Sequence, residues 1–254
     1  ANVSVADSFR YVINDTHSAV DSAWFIVTIL GQNDPPTAVN DTIRIPEDTL
    51  IRIYSQAAES LLANDSDRDG DAFILFRMDG SPSDSTRSTY CSLKWDSTGA
   101  FTYYRNNGLD SLPLGLTVTD SLLYTIINGH DSLASAYLYI YIDGENDAPH
   151  AVRDNHELSE SDESVSGGIA QNKHLLANDW DIDINDSLSI VSVNLETGFS
   201  TRGSFGWLTW NEQSEYIYTI DPVATDTLQS GEIVWDPFPY SISDRARASG
   251  SDTL

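Results

Sequence analysis

The stretch GQNDPPTAVND, residues 31–41, returns as GENDAPHAVRD at residues 144–154, with Asn33 and Asn146 lying 113 residues apart. Self-similarity at a fixed spacing sets the size of the unit that folds, and here it extends in both directions. LLAND at 61–65 recurs at 175–179, Phe101 and Tyr103 are answered by Tyr216 and Tyr218, and Tyr124 and Ile126 by Tyr240 and Ile242. Upstream, SFRYVINDTHSAVDSAWFIVTI at 8–29 resembles SLLYTIINGHDSLASAYLYIYI at 121–142, aligning Tyr11 with Tyr124 and Ile13 with Ile126. The chain therefore reads as three pieces: residues 1–33, the closing strands of a truncated first repeat; 34–146, a complete second repeat; and 147–254, a third that stops inside its last strand.

Within a repeat the apolar pattern has the period of a strand. TIRI, LIRIY, FILFR, SLKW, FTYYR, LLYTII and SAYLYIYI are short, rich in Ile, Tyr, Phe and Thr, and bounded by Asp, Asn, Ser, Gly or Pro. Seven such segments in one repeat predict an all-β chain of tandem Greek-key β-sandwiches, Ig-like and mostly antiparallel. The one helical candidate, AAESLLA at 57–63, is too short for more than a turn or two. Pro35, Pro36 and Pro149 fix the backbone where one repeat meets the next, which predicts a stiff junction.

Composition narrows the function. With 39 acidic against 13 basic residues, a net charge of −26 repels phosphates and anionic lipid, so neither nucleic acid nor direct membrane insertion is expected. Divalent cations are the natural counter-partner. No apolar run approaches the roughly 20 residues that span a bilayer. Cys91 is alone, which leaves no intramolecular disulfide. Without a basic, apolar leader, and with Met78 as the one methionine, the sequence reads as a piece of something longer.

The acidic residues are not scattered. In NDSDRDGD, Asp65, Asp67 and Asp69 alternate, Gly70 follows, and Asp71 comes next. Alternate carboxylates of this kind curl around one hard cation, and the glycine permits the sharp turn. An EF-hand would continue to a Glu at the twelfth position, which is Phe76 here, so further ligands have to come from elsewhere in the fold. The third repeat offers Asp179, Asp181, Asp183 and, after a one-residue insertion, Asp186, but Ile184 replaces the glycine, so its turn is expected to differ. Solvated turn chemistry is the bland alternative for both loops. Against it stands a repulsion of roughly 4 kcal/mol per close pair at an effective dielectric near 20. A second acidic set lies at the junctions: Asn33, Asp34, Asp143, Asn146 and Asp147, with Asn40/Asp41, Glu47/Asp48, Asp154 and Glu160 nearby.

NDPPTAVND, PED at 46–48, LLANDSDRDGDAF, TGAFTYY and DSLLYTI together resemble the VCBS and cadherin-like tandem repeats of bacterial giant secreted adhesins, often of the RTX class. The resemblance covers the whole chain and is looser in the third repeat, where ESDES stands in place of PED. It implies a calcium-rigidified, extracellular stalk on the bacterial cell surface, acting in adhesion and biofilm. It also implies a calcium role for Asn33, Asp34, Asn146 and Asp147 with Asp143 as helper, weakened at the first junction where Leu30 replaces Asp143. Adjacent repeats of the same chain are the implied partners, with other copies of the chain or surface glycans as further ones.

No catalytic motif appears, so an enzyme is not expected. None of the five histidines is spaced from another at i+3 or i+4, and Cys91 has no basic neighbour closer than Lys94. Two rival roles stay open: a carbohydrate-binding module using the alternating Tyr137, Tyr139 and Tyr141, and a filament subunit that lends the hairpin of residues 1–29.

Overall fold

The computed structural model describes residues 4–106 and 108–254. It resolves into two compact units: one holds residues 4–45, 49–106 and 119–142, the other residues 46–48, 108–118 and 143–254. The fold is nearly all β, as the alternation requires.

In the first unit, β1 (Ser4–Asn14) and β2 (Val20–Leu30) form a two-stranded hairpin that, among the described residues, hydrogen-bonds to no other strand. The second repeat follows as β3 (Asp41–Pro46), β4 (Ile51–Tyr54), β5 (Phe73–Met78), β6 (Ser85–Arg87), β7 (Cys91–Trp95), β8 (Phe101–Arg105), β9 (Thr117–Asn128) and β10 (Leu133–Asp143). They make two sheets, β3-β10-β9-β5 and β4-β8-β7-β6. Alternation decides which side chains meet. Leu122, Tyr124 and Ile126 of β9 and Leu138, Ile140 and Ile142 of β10 point inward, toward Leu93, Trp95, Phe101 and Tyr103 of the facing sheet, and all are buried. Tyr54 stacks on Phe101 with centroids 4.5 Å apart.

The second unit contains the third repeat: β11 (Ser164–Gly167), β12 (Ser189–Val193), β13 (Ser200–Arg202), β14 (Gly206–Trp210), β15 (Tyr216–Ile220), a single helical turn α1 (Pro222–Thr225), β16 (Pro239–Ser243) and β17 (Ser249–Thr253). Its sheets are β11-β15-β14-β13 and β12-β16-β17, closed over Val193, Leu208, Trp210, Tyr216, Phe238, Tyr240 and Ile242. The segment equivalent to β3 carries no strand here, and β17 has five residues where β10 has eleven.

One detail differs from the sequence expectation: the second repeat has an eighth strand, β6, while AAESLLA forms a 3₁₀ turn at Ala57–Glu59, within the turn or two expected of it. A conserved geometry links β7 to β8 and β14 to β15: Gly99 (φ +79°) and Ser214 (φ +59°) occupy the same left-handed corner. At Gly99 an added Cβ would sit 2.5 Å from Ser60 Oγ, so the second repeat uses the one residue that fits.

Candidate metal centre

The acidic loops are held by backbone pairing to the junction strands. Thr37 N donates to Ser66 O at 2.7 Å and Ser66 N to Thr37 O at 3.0 Å; His150 N donates to Trp180 O at 2.8 Å and Trp180 N to His150 O at 3.2 Å. In each repeat this places the Asn-Asp pair against the loop.

In the first unit Asp67, Asp69 and Asp71 each bring one carboxylate oxygen within 4.8 Å of the others. The turn is built as its spacing requires. Gly70 adopts φ +75°, its N–H donates to Asp67 O at 3.1 Å, and Asp69 N donates to Asp67 Oδ1 at 2.9 Å. Asp34 N donates to Asp69 Oδ2 at 2.7 Å, and Asn33 Nδ2 donates to Ser132 Oγ at 2.9 Å beside it. Asn128, at the end of β9, donates to Asp67 Oδ2 at 3.1 Å and lowers its carboxyl pKa. His130 Nε2 lies 3.4 Å from Asp71 Oδ2. Neither Asn128 nor His130 is part of the sequence motif.

Asp65 stands apart from this group. Its Oδ1 accepts from Val39 N at 2.8 Å and from the Tyr124 hydroxyl at 3.1 Å, and that hydroxyl also donates to Val39 O at 2.7 Å. Burial raises its pKa. Beside it, Asp41 is pushed up to about 6, first by burial and then by the charge of Asp65, against the hydrogen bond from Tyr124. The third repeat reproduces the arrangement. Asp179 Oδ1 accepts from Val152 N at 2.7 Å and from Tyr240 Oη at 2.8 Å, and Asp154 is pushed up to about 7 by burial and the charges of Asp179 and Asp252. Asp65 and Asp179 thus tie a tyrosine to the junction strand, while the carboxylates that follow them converge.

In the second unit the third-repeat loop divides its carboxylates between two groups. Asp181, Asp186 and Asp244 form one, and Asp183 joins Glu47 and Asp147 in the other, each with oxygens within 4.8 Å. The turn differs, as Ile184 leads one to expect: its left-handed residue comes one position later, at Asn185, with φ +63°. Asparagine tolerates the left-handed region better than a β-branched residue, so the insertion restores the turn. Asn146 Nδ2 donates to Asp244 Oδ2 at 2.7 Å, and Asp147 N donates to Asp183 Oδ2 at 3.1 Å. Glu47 is buried, accepting from Glu145 N at 2.8 Å and Leu112 N at 3.2 Å, while Glu47 N donates to Asp143 O at 2.8 Å. Asp143 joins none of the three groups; its Oδ1 accepts from Thr117 Oγ1 at 2.6 Å.

The electrostatics of the second unit call for positive charge. Asp183 is 3 % exposed, and its Oδ1 and the Oδ2 of Asp181 are buried with no hydrogen-bond partner among the described residues. Asp147 is raised by burial and then by the charges of Asp48, Asp183, Asp110 and Asp181; Asp181 is raised for similar reasons. Such carboxylates are costly unless a cation or proton joins them. An all-oxygen, carboxylate-rich set containing Asn side chains is the donor chemistry of calcium.

Of the tyrosine row, Tyr137 is 42 % exposed and stacks on Tyr139 with centroids 5.8 Å apart, and Arg44 lies 5.8 Å over the Tyr141 ring. Burial pushes the Cys91 thiol up to about 12. No helix among the described residues is long and apolar enough to cross a membrane.

The two repeats fold as a tandem of mostly antiparallel β-sandwich domains. Residues 33–144 match the family model of the bacterial cadherin-like domain, and residues 146–254 that of the bacterial Ig domain. No curated protein matches the chain. Among solved structures, protocadherin gamma B2 extracellular cadherin domains 1–5 match at a TM-score of 0.53 with 13 % identity, over 99 % of this chain and 44 % of that one. The protocadherin gamma B4 extracellular domain matches at 0.53 with 14 % identity, over 99 % of this chain and 36 % of that one. The chain spans less than half the length of these ectodomains, and the likeness is one of fold.

Proposed function

We propose that the chain is a calcium-stiffened spacer or adhesion-stalk segment of a secreted or surface-anchored bacterial protein, without enzymatic activity. Its repeats are of the VCBS and cadherin-like type, divided at residues 33/34 and 146/147 as the internal repeat suggests. Calcium is held by Asp67, Asp69 and Asp71 with Asn33 and Asp34, by Glu47, Asp147 and Asp183, and by Asp181, Asp186 and Asp244 with Asn146. The observation that carries the reading is the convergence of Glu47, Asp147 and Asp183, two of them buried and one with an unpartnered oxygen.

Calcium at 100 times Kd stabilises the folded chain by about 2.7 kcal/mol, and extracellular modules bind at roughly 10⁻⁴ to 10⁻³ M. In a chain with a single cysteine, that contribution replaces what disulfides would supply. The test is thermal melting in calcium and in excess EDTA, with titration calorimetry. A Tm raised by calcium and a calorimetric stoichiometry above one support the reading; an unchanged Tm with no heat of binding sinks it.

A further inference from the structure

The outer face of the sheet β4-β8-β7-β6, in the second repeat, carries positive charge and no carboxylate. Its register lays out two rows, Ile51–Tyr104–Ser92–Arg87 and Ile53–Thr102–Lys94–Ser85. Leu93, Trp95, Phe101 and Tyr103 take the alternate positions and are buried in the core, so the two rows point away from it. Ile51 and Ile53 are 59 and 64 % exposed, Arg87 and Lys94 are exposed as well, and the Lys94 ammonium lies 5.9 Å from the centre of the Tyr104 ring. Arg87 and Lys94 are diagonal neighbours on paired strands, a relation that sets residues roughly 7–8 Å apart. Neither has an ion-pair partner among the described residues. Two unneutralised cations side by side are out of keeping with a chain of 39 acidic and 13 basic residues.

The third repeat shows what satisfies such a cation. Its row Ser164–Thr219–Trp207–Arg202 occupies the same place in β11-β15-β14-β13, and Ser-Thr-Arg recurs at 85–87 and 200–202. There the guanidinium lies 5.2 Å over the Trp207 ring and is neutralised by Asp221, whose Oδ2 is 2.7 Å from Arg202 Nη2. At the spacing that relates Phe101 to Tyr216, the counterpart of Asp221 is Asn106. Its neutral amide donates instead to the carbonyls of Ser88, Thr89 and Cys91. One repeat holds its own counter-ion and the other does not.

We propose that the second-repeat face binds an acidic polysaccharide, a chain of hexuronate units, whose carboxylates take the place that Asp221 holds in the third repeat. Arg87 offers a planar fork that matches a carboxylate, and Lys94 a second charge beside it. The Tyr104 ring, with Ile51 and Ile53, gives apolar surface for the C–H face of a pyranose. Hydroxyls on Ser85, Ser92 and Thr102 can both donate to and accept from those of a sugar. This interleaving favours a glycan over an acidic protein, whose anchoring side chains need well-packed pockets. Repulsion from the carboxylates elsewhere on the chain is screened beyond about 10 Å at 0.1 M salt. The proposal adds a partner to the stalk reading and does not depend on calcium, because no candidate calcium ligand lies on these rows.

Amide chemical-shift titration of the whole chain with a galacturonate hexamer, and with maltohexaose as the neutral control, tests this. EDTA in the buffer prevents calcium from bridging two polyanions and keeps the result separate from the calcium reading. The expected result is a Kd below about 10⁻³ M for the uronate, shifts centred on β7 and β8, and binding of maltohexaose at least about tenfold weaker. Affinity should fall as salt is raised. Arg87→Gln with Lys94→Gln should weaken binding at least about tenfold, and Tyr104→Ala several-fold. Asn106→Asp, which installs the counter-ion of the third repeat, should also weaken it several-fold, while Lys94→Arg keeps the charge and Arg202→Gln lies on the other repeat, so both should bind as wild type. No binding of the uronate up to about 10⁻³ M overturns the proposal, as does equal affinity for maltohexaose or for a DNA oligonucleotide of the same charge. A double variant that binds as wild type, or a loss of binding shared equally by Lys94→Arg or Arg202→Gln, overturns it too.

Discussion

Tyr240 reaches Asp179 at 2.8 Å, and Tyr124 reaches Asp65 at 3.1 Å, so the same phenol–carboxylate pair closes both sandwiches. Each pair lies at the first aspartate of an acidic loop, and its tyrosine is buried in the core. Tyr240→Phe leaves Asp179 without its hydroxyl donor and should lower stability by about 1–3 kcal/mol, measured by urea unfolding of the third repeat. A change below a few tenths of a kcal/mol would show that the bond does not brace the loop.

Asp183→Asn separates a cation site from a purely structural one. Removing one charge from three crowded carboxylates relieves repulsion, so in EDTA the variant should melt at or above the wild-type Tm. In saturating calcium it should melt below wild type, because the ion loses a charged ligand. The order of the two proteins is expected to reverse between buffers; a variant that melts lower in both would be a folding defect.

Without calcium, stability should fall as pH rises through the weakly acidic range. A carboxyl whose folded pKa exceeds its ordinary value of 3.8 stabilises the fold fully below that value, and the contribution is lost as pH rises through the folded pKa, about 6 for Asp41 and about 7 for Asp154. Asp67, with its pKa lowered, acts in the opposite sense and only at lower pH. Calorimetry in EDTA from about pH 4 to pH 8 should show a declining Tm, and Asp41→Asn with Asp154→Asn should flatten the decline. An unchanged slope in the double variant counts against these groups as its source.

The left-handed corners give a backbone test. Gly99→Ala meets both an unfavourable φ and the side chains of Ser60 and Leu62, so a loss of more than about 1 kcal/mol is expected. Asn185→Gly should be neutral or mildly stabilising, while Asn185→Ala should cost about 1 kcal/mol. Equal effects of Gly and Ala at position 185 would mean that the turn does not depend on its φ.

The sandwich was readable because inward-facing residues of β9 and β10 alternate, and those of β9 recur at nearly the same spacing, from Tyr11 to Tyr124 and from Tyr124 to Tyr240. Strands of three residues such as β6 and β13 carry no period to detect. The acidic loops announced their charge but not its division. Asp65 and Asp69 look alike in a string of alternating aspartates, and only the burial of Tyr124, with a hydroxyl that needs an acceptor, sends Asp65 to the other side. Asn128 and Asp244 are far from the loops in sequence, yet they sit at matching positions, Asn128 at the last residue of β9 and Asp244 directly after β16. That equivalence was present in the repeat and is the signal that would have found them.

Glu47 and the 108–118 segment belong by sequence to the second repeat, but they pack in the compact unit that contains the third. The period at which this chain was duplicated and the boundary at which it folds are therefore out of phase. A fragment cut at the repeat border would separate Glu47 from Asp147 and Asp183, the two carboxylates with which it converges.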